Sequence, residues 1–177
     1  VENWVLAVTP MNPADAQACF HVLLDRRLAQ DVRVHKLRCA LYKRVITGTL
    51  EYEDYNLALR ELFIPLLRAA KGADREVRET LVEVLPLVNN VSGHRELVQL
   101  FQHSDPSIRV FAKAVCEKVG GKTVFSLLVE LCGQPDFHGR MEALDACVRM
   151  AGYHAIPALK NVIKAGVTDE KLSALKM

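Results

Sequence analysis

Apolar positions recur along this chain at helical spacing, and the stripes they form come back every 31 residues. Val77, Leu81, Val84, Leu85 and Val88 stand at i, i+4, i+7, i+8 and i+11, one face of an α-helix. Ile108, Ala112, Val115, Cys116 and Val119 repeat that face, and Ala143, Ala146, Cys147 and Met150 repeat it again, with Gly139 at the first position. Shorter apolar helices fall between them. Leu97-Val98 with Leu100-Phe101 marks one, Val124-Phe125 with Leu127-Leu128 and Leu131 the next, then Ile156, Leu159, Val162 and Ile163. The unit is a helix A, a turn, and a helix B.

Polar residues punctuate the same period. Asp74, Asp105 and Asp136 open each helix B, because a short carboxylate accepts from the first backbone N–H groups; Pro106 suits the first helical position. Arg78, Arg109 and Arg140 follow four residues later, placed for i, i+4 pairing. Asn90, Gly121 and Gly152 close the helices, since Asn and Gly tolerate the left-handed conformation of a C-cap. One stripe per helix leaves each pair uncovered alone, so stacking of neighbouring pairs is required, which predicts an all-α protein built as an α-solenoid.

The N-terminal third follows the theme loosely. Residues 1–13 read as an extension and 14–46 as repeat 1, followed by an inserted loop at 47–55. Repeats 2, 3 and 4 cover 55–90, 93–121 and 122–152, and 153–177 is a partial fifth. A long helix A over about 55–70 bends near Pro65, and Asp169–Lys176 begins a further helix. The chain opens Val1-Glu2 without methionine, which points to a segment of a longer protein.

Ile64-Pro65-Leu66-Leu67, Asp74 and Val77-Arg78 resemble the HEAT-repeat consensus, with its proline in helix A, aspartate at the turn and Val-Arg in helix B. His103-Ser104-Asp105-Pro106-Ser107-Ile108-Arg109 resembles the same turn. The short period is similar to that of the HEAT-like, armadillo-like arrays of bacterial proteins. The resemblance implies a scaffold, and it implies that Asp74, Arg78, Asp105, Arg109, Asp136 and Arg140 form a structural ladder between units.

Composition narrows the chemistry. The 177 residues are half apolar and carry 23 basic against 21 acidic side chains, so the chain as a whole is no polyanion binder. Cys19, Cys39, Cys116, Cys132 and Cys147 form no CxxC pair and sit in apolar helical contexts, which suits buried reduced thiols and a cytoplasmic setting. The six histidines form no metal-ligand pair, and no cofactor is expected. No GxSxG, Walker or dinucleotide glycine pattern occurs, so the chain is read as a non-enzyme. No apolar run is long enough to cross a membrane.

Two surfaces remain as candidates for a partner. The first helix B carries Arg33, Lys36, Arg38, Lys43 and Arg44 against Asp31, a basic patch for an acidic protein or for phosphates. The basic run stops after that helix and stacking aromatics are few, which argues against a nucleic-acid groove. The outward columns of the later B helices are Glu79, Val110, Met141 and Val82, Lys113, Leu144, an inner wall suited to a partner peptide or helix. The first expectation is thus a protein-binding module. The alternatives are a HEAT-like protein of bilin-lyase or DNA-glycosylase type, and a nucleic-acid-binding solenoid that uses Arg33, Lys36, Lys43 and Arg44.

Overall fold

The computed structural model describes residue 60 and residues 63–134 and 137–176. They belong to two compact units, divided after Asn90. Among the described residues the secondary structure is helical throughout, with no strand. The expected repeat 1 and inserted loop, residues 14–55, lie outside the described residues.

In the first unit, α1 (Phe63–Ala70) buries Phe63, Leu66, Leu67 and Ala70. Helix α2 (Arg75–Val84) starts as the sequence predicts: Asp74 is its N-cap, and its carboxylate accepts from the Val77 N–H at 2.9 Å. The whole predicted stripe from Val77 to Val88 is buried. The α-helix itself ends early. Leu85–Val88 continues as a 3-10 turn, because Pro86 has no N–H to give to a carbonyl one turn back. Asn90 therefore does not cap a regular helix; its side-chain amide donates to the Arg60 carbonyl oxygen at 3.0 Å.

The second unit holds α3 (His94–Gln99), prolonged by a 3-10 turn at Leu100–Gln102, then α4 (Pro106–Val119) and α5 (Gly121–Cys132). It continues with α6 (Arg140–Ala151), α7 (Ile156–Ala165) and α8 (Thr168–Ala174). Helix α4 has the predicted cap, with the Asp105 carboxylate accepting from the Ser107 N–H at 2.8 Å and Pro106 at the first helical position. Gly120 at φ 62° ends α4 and Gly121 at φ 85° opens α5, so the left-handed break is shared by both glycines. Helix α6 starts at Arg140, later than the Asp136 column predicts; its N-cap is Gly139, a poor helix former, and Asp136 itself is outside the described residues.

Packing within this unit sorts the helices into two sets. Helix α5 packs on α3 and on α7, while α6 packs on α4 and on α8; the closest partnership is between α5 and α6. The core between the sets takes Leu97, Leu100 and Phe101 from one side and Ile108, Ala112, Val115 and Cys116 from the other, then Leu128, Ala143 and Cys147. Val119 and Met150, the last positions of their predicted stripes, are only half-buried.

Candidate functional site

The helix-B face of the second unit is built by α4 and α6. Val110 projects from the first full turn of α4 with 61% of its surface exposed. Further along from Val110, the two helices bring four charged side chains together. Lys113 pairs with Asp145 across the helices. Arg149 reaches Asp145 at 3.3 Å and Glu117 at 3.5 Å, and Lys113 lies 3.9 Å from Glu117. Two cations and two anions neutralise one another, so this face has little net charge to attract a charged partner. Burial pushes the Asp145 carboxyl up, but the hydrogen bonds and charges of Lys113 and Arg149 outweigh it and hold the group below its ordinary value.

The other expected contact residues divide. Met141 is half-buried, and Glu79 is exposed and held by Arg75 at 2.7 Å within its own helix. Leu144 corrects the sequence reading. It is wholly buried, on a helix that packs against both α4 and α5, and it is unable to meet a partner. Arg33, Lys36, Lys43 and Arg44 lie outside the described residues.

The Asp and Arg columns do two separate jobs. Asp74 and Asp105 cap helices. The arginines fold back onto the turn that precedes their helix: Arg78 donates to the Ala73 carbonyl at 2.7 Å, Arg109 to those of His103 and Ser104 at 3.0 and 3.1 Å, and Arg140 to that of Gln134 at 2.7 Å. Arg109 and Arg140 also reach forward to a carboxylate one unit on. Arg109 donates to Glu142 at 2.8 Å, and Arg140 donates to Glu170. Glu170 in turn accepts from the Val167 N–H at 2.9 Å, so the same carboxylate pairs with Arg140 and caps α8. Sequence reasoning missed Glu142 and Glu170. Their separations of 33 and 30 residues from the arginines straddle the 31-residue period, so an exact column search passes over both, and only one widened to two residues either side of the period includes them.

Cys116, Cys132 and Cys147 are free and buried, and burial drives the Cys116 thiol far up, away from a reactive thiolate. Cys147 is raised as well, first by its hydrogen bond with Cys132 and then by burial. Among the described residues no His, Cys, Asp and Glu cluster is arranged to hold a metal ion. His94 is buried, and burial lowers its pKa. An open groove of about 120 Å³ runs between α3 and α5, with Val98, Leu127 and Leu131 below and Arg95, Gln99 and Glu130 at its rim. Among the described residues no helix is long and apolar enough to cross a membrane.

In comparisons with protein-family models, with curated proteins and with solved structures, nothing matches this chain.

Proposed function

We propose that the chain is a segment of an α-solenoid of short HEAT-like repeats, about four to five units at the 31-residue period, and that it serves as a non-enzymatic scaffold. The packing of α5 on α3 and α7, and of α6 on α4 and α8, supports the solenoid reading. The partner is another protein, which lays a peptide or helix over the B helices around Val110. Carrying this reading is one observation, the exposure of Val110 on α4, the helix whose Lys113 and Glu117 take part in a set of four charges that neutralise each other. An uncovered apolar side chain in such a setting gains by being covered, and shape rather than net charge selects what covers it. The free, buried thiols support a reducing compartment, the cytoplasm.

The test is affinity capture with the tagged chain as bait, followed by titration of the captured partner. Val110→Glu with Met141→Glu should abolish capture, while Glu130→Ala, on the exposed side of α5, should leave it intact. Undiminished capture by the double variant would sink the proposal.

A further inference from the structure

Helix α7 exposes a second apolar stripe, distinct from the surface around Val110. Ile156, Lys160, Ile163 and Lys164 stand at i, i+4, i+7 and i+8 on α7, and all four are exposed. The opposite side of α7 is buried through Ala158 and Val162. Leu175, just past the end of α8, is 70% exposed. Repeat columns show what these positions do when covered. Ile163 shares its column with Phe101 and Cys132, both wholly buried, and Leu175 shares its column with the wholly buried Leu144 and the partly buried Lys113 and Val82. Ile156 shares its column with the half-buried Phe125 and the buried His94.

Lys160 breaks the pattern in an informative way. Its counterparts are Val98, which is buried, and Val129, which is half-buried. A covering surface that closed over Lys160 with apolar groups alone would bury its ammonium without a partner, at high cost. The occupant must therefore bring a carboxylate to that place. Exposed charge nearby agrees, with Lys160, Lys164 and Lys176 set against Asp169, and with Glu170 engaged by Arg140.

We propose that α7 and the end of α8 dock an amphipathic helix of a partner protein, whose apolar stripe covers Ile156, Ile163 and Leu175 and whose flanking Asp or Glu residues meet Lys160 and Lys164. The mode is helix on helix, with charge complementarity setting which helix is accepted.

Two labelled 18-residue helical probes test this, one with its leucine stripe flanked by glutamates and the other by lysines, read by fluorescence anisotropy on the full chain. The glutamate probe should bind at least about tenfold more tightly than the lysine probe, and the preference should shrink at about 1 M salt. Lys160→Glu with Lys164→Glu should reverse the preference, while Val110→Glu with Met141→Glu should leave it unchanged, which separates this face from the one around Val110. Acetylation by an activated ester should modify Lys160 and Lys164 quickly in the free chain and slowly with the glutamate probe bound. Equal binding of the probes, or binding of neither, overturns the proposal. So does slow acetylation of the full chain without a probe, which assigns the face to the protein itself. Self-association abolished by Ile163→Glu, or capture by phosphatidylserine vesicles with no probe binding, overturns it in favour of a second copy or a lipid surface.

Discussion

The carbonyl oxygen of Phe101 occupies the space that a Cβ on Gly139 would need, and the Arg109 Cδ lies 2.9 Å from the same point. Gly139 stands at the first position of the stripe, where the preceding units carry Val77 and Ile108. The glycine lets the entry to α6 close onto the 3-10 turn that ends at Gln102. Gly139→Ala should therefore destabilise the chain by about 1–3 kcal/mol, since the obstacle is backbone and has no rotamer to change. Gly72→Ala is the matched control: nothing lies within 4 Å of its would-be Cβ, and the substitution should be neutral or stabilising by up to about 1 kcal/mol. Urea unfolding of the two variants checks both.

Arg140 is the most deeply buried of the described charges, at 2% exposure, and Glu170 answers it while also capping α8. Removing one partner of such a pair strands the other in a poorly solvated site. Arg140→Ala should cost about 3–5 kcal/mol, and Glu170→Gln less, because the amide oxygen still accepts from the Val167 N–H. Arg75→Ala, which breaks only an exposed pair with Glu79, should leave the unfolding midpoint where it is. Chemical denaturation of the three variants orders them.

The contrast between these pairs shows which parts of the molecule the residues announce. A buried stripe is periodic, so Ile108, Ala112, Val115 and Cys116 could be placed from spacing alone, and so could the caps at Asp74 and Asp105. A glutamate that meets an arginine through a long, flexible side chain need not keep the period, and Glu142 and Glu170 escape a column search for that reason. Leu144 misleads in the opposite way. It shares its column with Val82 and Lys113, both only partly buried, but α6 has neighbours on more sides than the period alone reveals. Arg33, Lys36, Lys43 and Arg44 stand as readings of the sequence.

His94 gives the fold a dependence on pH. Burial lowers its pKa below the ordinary 6.5, so the folded state keeps the imidazole neutral where the unfolded chain already binds a proton. The stability tied to this group is fully present above pH 6.5 and is lost as pH falls from there to the lower folded-state value. His94→Gln, which does not titrate, should flatten the stability curve in that window and leave the slope near neutral pH unchanged. Urea midpoints measured from pH 7.5 down to about 5 would show it. An unchanged slope would mean that the neutral imidazole is not what the fold requires.

Leu144 and Val110 belong to the same expected surface, and their burial predicts opposite behaviour. Leu144 is enclosed, so Leu144→Ala opens a cavity in the packing of α6 and should cost about 2–5 kcal/mol, whatever the chain binds. Val110 touches solvent over most of its surface, so Val110→Ser removes little that folding has gained and should stay within about 0.5 kcal/mol. Parallel unfolding curves for the two variants decide the point, provided the slope against urea is unchanged. A Val110→Ser variant as damaged as Leu144→Ala would mean that Val110 is covered inside the folded chain. The face proposed for a partner would then already be occupied.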